Sequence, residues 1–327
     1  MGRGSPLVVV NPHSGGGRAR RALGDLRSLL ERRVGPVDFA LTERPGHAIE
    51  LARQGVRDGR TLIIAVGGDG TLHEVANGVL DEGSEAAVGY VGQGTGGDFR
   101  RTLGIEHGLE AYVDAIAGGR ELVLDAGRVQ YRAFDGTTRA RWFVNILSAG
   151  MSGLVDRYVA HTTKVFGGAA TYYLASLRAL LACRRGRLKC AADLAGVRSE
   201  RHMDTFMIAI CNGRYFGAGM HVAPMAKPDD GRFEVVSMDA ASKLAFAAFS
   251  RRIYDGTHLS APGVQHFGCD RIAIDLEHER ARDVFLLDVD GEPLGGLPLE
   301  VELVPRVLKV RGWLNASDPA KPVPQQA

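Results

Sequence analysis

The sequence predicts a doubly wound α/β domain followed by a mostly antiparallel β-sandwich domain. Three observations carry this. Up to about residue 122, short apolar runs alternate with amphipathic helical stretches, the pattern of a parallel sheet covered by helices. Three of the early apolar runs end directly in glycine clusters. Beyond residue 122 most segments alternate apolar and polar residues with period two, as in antiparallel strands with fewer covering helices. The expected boundaries are 1–124 for the first domain, completed by the segment 305–315, then 125–304 for the second. The Pro- and Gln-rich tail 316–327 is expected to be disordered.

The elements follow in order. "PLVVVNP" (6–12) reads as a strand, and 19–33 as a helix with Leu23, Leu26, Leu29 and Leu30 at helical spacing. "VDFALT" (37–42) alternates like a strand, and "HAIELARQGVRDG" is a helix ended by Gly59. "TLIIAV" is a buried strand, "LHEVANGVLD" a helix, "AAVGYV" a strand, and "HGLEAYVDAIAGG" a helix closed by Gly118 and Gly119. In the second domain "ELVLDAGRVQYR" and "ARWFVNILSAGM" read as strands and 157–183 as helical. Strands return at 205–213, 232–239, 271–277, 283–292 and 297–312.

Composition narrows the classes. Of the 327 residues 45% are hydrophobic, enough chain for a sizeable core, and the formal net charge is +2, so nothing marks a nucleic-acid binder. Cys183, Cys190, Cys211 and Cys269 lack C-x-x-C spacing and read as reduced, buried thiols of a cytoplasmic protein rather than zinc ligands. The first apolar run is too short for a secretory signal, and no run approaches the ~18 residues of a spanning helix.

The glycine clusters carry the chemistry. They are Asn11-Pro12-His13-Ser14-Gly15-Gly16-Gly17, Gly67-Gly68-Asp69-Gly70-Thr71 and Gly92-Gln93-Gly94-Thr95-Gly96-Gly97-Asp98. Glycine after a buried parallel strand lets the backbone turn tightly and approach a ligand. Its N–H groups, with the positive end of the next helix, make a phosphate site. Parallel strands bring such ends to one sheet edge, so three clusters point to a polyphosphate and hence a nucleotide. Asp69 and Asp98 are then placed to serve Mg²⁺ among phosphoryl oxygens. The plain alternative for any one cluster is turn punctuation.

Other motifs fail on context. Residues 92–97 fit G-x-G-x-x-G, but follow a late strand rather than opening the first strand–helix turn of a dinucleotide fold. "GMSGL" (150–154) is not a nucleophile elbow, and neither a Walker A loop nor H-E-x-x-H occurs.

Taken together these segments resemble the diacylglycerol kinase catalytic family of lipid kinases, which includes sphingosine and ceramide kinases. "VVVNPHSGGGRAR" is similar to the family's N-P-x-S-G opening, and "LTERPGHAIELA" to its T-x-x-x-x-H-A segment. "VGGDGTLHEVANGV" is similar to its G-G-D-G-T signature, and "GQGTGGDFRRTLG" to its P-x-G-T-x-N-D-F-A-R segment. "NGRYFGAGMHVAPMAKPDDGRFEVV" and "LDVDGEPLGG" resemble its metal loop and D-G-E-P strand. The resemblance covers nearly the whole chain. It implies an ATP- and Mg²⁺-dependent lipid kinase with a nucleotide domain shared with NAD kinases and an acceptor site between the domains. Thr42, residues 67–73 and Thr95 would hold ATP, beside Asn11, Ser14, Gly15 and Gly94. Catalytic roles would fall on Asp69 and on Asp290 or Glu292, one of which would be the general base; "DG" alone also fits a hairpin turn. Lys227 and Arg232 would offer main-chain oxygens, and Asp230 a carboxylate, to a structural metal; Asp229 rivals Asp230, and a solvated turn is the alternative.

The chain departs from the family at Gln93 (usually Pro), Gly97 (usually Asn) and His73 (often Asn). Gly97 removes a side-chain hydrogen-bonding group beside the expected phosphates, which predicts weaker nucleotide affinity, a different phosphate donor or a slow enzyme. An apolar segment with a basic end, 164–189, suits either a core helix with a solvated exit or a peripheral helix at the inner membrane face. Edge strands of the second domain leave room for a homodimer. The competing readings are an NAD kinase, a kinase of a soluble alcohol, and an inactive lipid-binding regulator. Cleft shape, which no motif encodes, would choose among diacylglycerol, phosphatidylglycerol, a sphingoid base and a polyprenyl alcohol.

Overall fold

The computed structural model describes residues 4–83, 85–94, 96–118, 120–161, 168–249 and 251–312. The chain divides into two compact units, Met1–Leu124 with Arg306–Ala327, and Asp125–Pro305.

The first unit begins with β1 (Leu7–Val10), α1 (Ser14–Arg21), α2 (Leu23–Arg33), β2 (Asp38–Leu41) and α3 (His47–Arg57). It continues with β3 (Leu62–Gly67), α4 (Asp69–Asp81), β4 (Ala87–Gly92), α5 (Asp98–Thr102) and α6 (Leu109–Gly118). β1 lies between β2 and β3, β3 pairs with β4, and every pairing is parallel. β1, β3 and β4 are buried almost throughout because helices cover both faces, so they read as unbroken apolar runs. The helix expected over 19–33 is two helices. The first starts at Ser14 and bends where Gly15, Gly16 and Gly17 all take left-handed φ values of 60°, 67° and 84°.

The second unit runs through β5 (Arg120–Ala133), β6 (Thr138–Phe143), β7 (Ile146–Gly150), α7 (Met151–His161), α8 (Gly168–Ala182), β8 (Gly186–Leu194) and β9 (Val197–Thr205). Then come β10 (Met207–Cys211), β11 (Phe233–Met238), α9 (Lys243–Phe249), α10 (Arg251–Tyr254), β12 (Val264–Cys269), β13 (Arg271–Leu276), β14 (Leu286–Val289) and β15 (Glu292–Gly312). Strand order is β12-β11-β10-β7-β14-β15 with antiparallel neighbours; β13 pairs with β15 and β8, and β8 with β9. The last residues of β15 return to the first unit, where Val310 pairs parallel with Val88 of β4.

Period-two alternation builds two cores from one strand. Along β10, Ile208 and Ile210 face a core shared with β8, β13 and β15, while Met207, Ala209 and Cys211 face a core shared with α7, α8 and α9.

The segment expected to form one strand over 140–151 is two, broken at Val144 and Asn145, whose N–H groups go to a carboxylate instead of a ladder. The basic end of 164–189 is not a helical tail. Arg187 and Lys189 alternate with buried Leu188 and Cys190 on β8, and Arg187 is held by Glu277 and Asp204. The 162–167 part of that segment and the 316–327 tail lie outside the described residues.

Candidate functional site

The parallel register sets one sheet edge. Val10 pairs with Leu41 and with Val66, and Gly67 pairs with Gly92. Asn11, Thr42, Gly68 and Gln93 therefore leave the sheet side by side. The edge is closed by main-chain bonds from Asn11 N to Val66 O (2.9 Å), Thr42 N to Val10 O (2.8 Å) and Gln93 N to Gly67 O (2.7 Å).

The three glycine loops touch one another through bare backbone. A Cβ on Gly15 would lie 2.1 Å from Gln93 O, one on Gly94 2.7 Å from Gly68 Cα, and one on Gly68 3.7 Å from Ser14 Oγ. Gly67 gives way to Thr71, whose Oγ1 would stand 2.2 Å from an added Cβ. Side chains at these points would push the loops apart, which is a physical reason for glycine beyond turn-making.

Asp69 opens α4 and reaches across to the third loop: its Oδ2 accepts the Gly97 N–H at 2.8 Å, and its Oδ1 the Tyr90 hydroxyl at 3.4 Å. Asp98 is buried and takes Arg101 at 3.0 Å. A Cβ on Gly96 would be 2.6 Å from Asp69 Oδ2 and 3.5 Å from Asp98 Oδ2, so the two carboxylates flank one small space. Burial and this negative charge push the Tyr90 phenol far above its ordinary range. Thr95 lies outside the described residues.

The second unit presents a different carboxylate arrangement. β14 and β15 are joined by Asp290 and Gly291, both left-handed (φ 53° and 91°), with Val289 opposite Glu292. This is a two-residue hairpin turn of the kind Asp-Gly favours. The Asp290 carboxylate is buried and accepts three backbone N–H groups, from Val144 at 2.9 Å and from Asn145 and Ile146 at 3.0 Å. Glu292 follows the turn and is half-buried. Two residues before the turn, Asp288 accepts the Gly291 N–H at 2.7 Å and the Ser148 hydroxyl at 3.1 Å. Burial raises the Asp288 carboxyl to about 7.

Comparison with known proteins fits both units. Residues 5–129 match the diacylglycerol kinase catalytic domain, and residues 145–312 match the YegS C-terminal NAD kinase beta sandwich-like domain. The chain belongs to the diacylglycerol kinase-like family of lipid kinases. A diacylglycerol kinase of Staphylococcus haemolyticus (strain JCSC1435) is 28% identical over 292 residues, covering 89% of this chain and 83% of its own. A protein of Klebsiella pneumoniae (strain 342) named "Probable lipid kinase YegS-like" is 25% identical over 305 residues, covering 93% and 95%. A crystal structure of a diacylglycerol kinase from Bacillus anthracis str. Sterne superposes with a TM-score of 0.68 at 19% identity, over 97% of each chain, and so shares the fold.

The loop expected from the resemblance to hold a structural metal takes a defined shape here. Asp230 Oδ1 accepts the Arg232 N–H at 3.3 Å, Gly231 N–H goes to Asp125 Oδ2 at 2.8 Å, and Lys227 is exposed. Burial, with the charges of Glu234 and Asp125, raises the Asp230 carboxyl against the pull of Arg232. A hard cation bound through oxygen would relieve that, so the donor set fits. Among the described residues no three His, Cys, Asp or Glu side chains converge as metal ligands.

The departures from the family pattern become intelligible. Gly97 has φ 67° and ψ 37°, the left-handed conformation that Gly and Asn adopt with least strain, and it donates its N–H to Asp69. The backbone role survives without the Asn side chain. His73 is buried in α4, 3.3 Å from Asn77, and Gln93 supplies main-chain atoms to the loop contact.

Sequence reasoning missed several neighbours. Tyr90 holds Asp69 from inside β4, where it reads only as an apolar strand residue. Arg101 binds Asp98 and the Gly96 carbonyl, and Arg18 binds the Gly15 carbonyl at 3.2 Å. Together with Arg100 they depress the basicity of His107 after burial has done so, which marks a cationic rim around the loops. The basic residues following the first and third glycine clusters were the signal available.

Proposed function

We propose that the protein transfers the γ-phosphoryl group of ATP to the hydroxyl of a membrane lipid, diacylglycerol or a close relative. The observation that carries this is the mutual contact of three bare glycine loops around Asp69 and Asp98, at one edge of a parallel sheet. Polyphosphate fits such an edge because main-chain N–H groups and the α4 N-terminus meet it without side-chain interference. Asn11, Ser14, Gly15, Thr42, Gly67, Gly68, Gly70, Thr71, Gly94 and Thr95 belong to the loops that would cradle the nucleotide. Asp69 and Asp98 would hold Mg²⁺, which neutralises charge on phosphoryl oxygens when bound.

Between the acidic pair of the hairpin, Glu292 is the preferred general base. The oxygens of Asp290 already accept three backbone N–H groups, which commits the carboxylate to holding the 144–146 turn. Glu292 would take the acceptor hydroxyl's proton as its oxygen bonds to the γ-phosphorus. The bond to the β–γ bridging oxygen would break and ADP leave. ATP and lipid meet at the inner face of the membrane, where this reading puts the protein.

Transfer of label from γ-labelled ATP, with Mg²⁺, to mixed-micelle diacylglycerol, phosphatidylglycerol, a sphingoid base and a polyprenol tests the reading. One labelled lipid is expected, absent with Asp69→Asn. ATP binding with no labelled lipid would overturn it.

A further inference from the structure

Asp288 is buried under the hairpin that carries Glu292, and the proposed reaction gives it no role. Three elements meet at its carboxyl. From the turn, Gly291 donates its N–H to Oδ1 at 2.7 Å. From β7, where Ser148 stands directly opposite, the Ser148 hydroxyl lies 3.1 Å from Oδ2. From α7, Ser152 continues that line at 2.7 Å from Ser148 Oγ, and Asp156, one helical turn further on, hydrogen-bonds Asp288.

Two acid side chains bond to each other only across a proton, because ionised carboxylates are acceptors alone. Burial raises Asp288 to about 7, and the charge of Asp290 adds to this against the bonds from Gly291, Ser148 and Asp156. Among the described residues, Asp156 of α7 and Asp290 beyond the turn are the charged groups that bear on it, while β7 offers a serine and β15 a proline.

The hairpin needs this anchor. The β14–β15 register slips between Leu287 and Asp288, and the residue opposite Asp288 is Pro293, which has no N–H to give. The ladder is thus weak where the turn begins, and the Asp288–Gly291 bond holds the turn in its stead. Glu292 follows Gly291 directly. α7 meanwhile lies hard against the same strand: a Cβ on Gly153 would stand 2.2 Å from Leu286 O. A shift of α7 is therefore felt by β14.

We propose that Asp288 and Asp156 form a one-proton clamp between α7 and the hairpin, and that this clamp positions Glu292 for the transfer. The inference rests on the lipid-kinase reading and on Glu292 as its base. With one proton on the pair, the two carboxyls bond to each other and Asp288 still accepts the Gly291 N–H. When that proton leaves, two carboxylates face each other in contact, and like charges so close repel. α7 then draws away from β14, and the hairpin loses its fixed aim. Asp288 is a positioning residue, acting through Gly291 and Glu292.

The test is the pH profile of kcat for transfer to diacylglycerol, from about pH 6 to 9, with amide hydrogen exchange of α7 and the 286–294 hairpin on the same samples. Wild-type kcat is expected to fall roughly tenfold as pH rises through about 7, inside the ~10²-fold that a 1 Å misplacement costs, with KM for ATP level. Exchange in both segments, corrected for its intrinsic rate, should rise over the same range. Asp288→Asn keeps a hydrogen between the two side chains at every pH, so its kcat and exchange should stay level, and Asp156→Asn should behave alike. Asp288→Ala removes the acceptor of the Gly291 N–H and should be slow at every pH at equal fraction folded, with Asp288→Asn as the conservative rescue. A merely structural Asp288 would leave the Asn variant with the wild-type profile. That result, level exchange in wild type, or wild-type kcat in folded Asp288→Ala would overturn the proposal. Exchange does not depend on turnover. Exchange that responds to pH, with no transfer to any acceptor or with full transfer in Glu292→Gln, would sink the proposed reaction and leave the clamp. Normal transfer with a flat pH profile and flat exchange would sink the clamp alone.

Discussion

The glycine loops of the first unit and the Asp-Gly hairpin of the second both place carboxylates at strand ends against backbone N–H groups, yet they work differently. In the loops Asp69 accepts the Gly97 N–H and flanks a space beside Asp98. In the hairpin Asp290 accepts three N–H groups and is buried. The first arrangement sets two carboxylates beside one space. The second ties its carboxylate to the backbone of the 144–146 turn, and the proposed mechanism gives the proton transfer to Glu292 instead. Two acids that look equivalent in "DVDGE" would then take separate roles.

The largest expected effect sharpens that division. Glu292→Gln should lower kcat by about 10²–10⁴-fold at equal fraction folded, the usual worth of a general base. Asp290→Asn should act mainly on stability. An amide in place of the carboxylate turns a donor toward three donors, at about 1–3 kcal/mol for each buried N–H left unsatisfied, measured by urea denaturation. Gly94→Ala would break the loop side of the comparison, because its Cβ meets the Gly68 backbone at 2.7 Å. ATP binding by calorimetry should weaken roughly tenfold or more, about 1.4 kcal/mol, with little loss of fold.

A smaller effect is pH-linked. Burial raises Asp288 to about 7 in the folded protein, above its unfolded value. The native state therefore keeps a proton that the unfolded chain releases between roughly pH 4 and 7, so stability from this group falls as pH rises through that window and is level above it. Asp288→Asn should flatten the fall in denaturation midpoints across roughly pH 4 to 7; an unchanged slope would reject the assignment. The smallest effect belongs to Gly97→Asn. The left-handed site accepts Asn, and the atoms nearest an added Cβ belong to the flexible Arg100 side chain, the closest at 3.1 Å, so ATP affinity should stay within about twofold.

What the sequence reveals follows from where the physics is written. Strands buried on both faces, such as β3 and β4, show as apolar runs, and glycines needed for close backbone approach show as glycines. β9 was illegible because it is an edge strand, polar on both faces in "VRSER". β8 was read as a basic helical exit because Arg187 and Lys189 mask its alternation. The break at 144–145 depends on a carboxylate about 145 positions away, which no local pattern encodes. The same holds for Tyr90 on Asp69 and for the separation of Asp290 from Glu292. Gly97 read as a defect because residue identity hides the conformation it shares with Asn.

On the proposed mechanism the first unit binds the phosphates while Glu292, and not Asp290, takes the proton. The direct measurement is single-turnover transfer from ATP to diacylglycerol with Glu292→Gln and Asp290→Asn, each at equal fraction folded and with ATP affinity measured on the same samples. The expected result is wild-type affinity in both, loss of turnover in Glu292→Gln, and turnover within about tenfold of wild type in folded Asp290→Asn, below the usual loss of a general base. Full turnover in Glu292→Gln, or abolished turnover in folded Asp290→Asn, would contradict it.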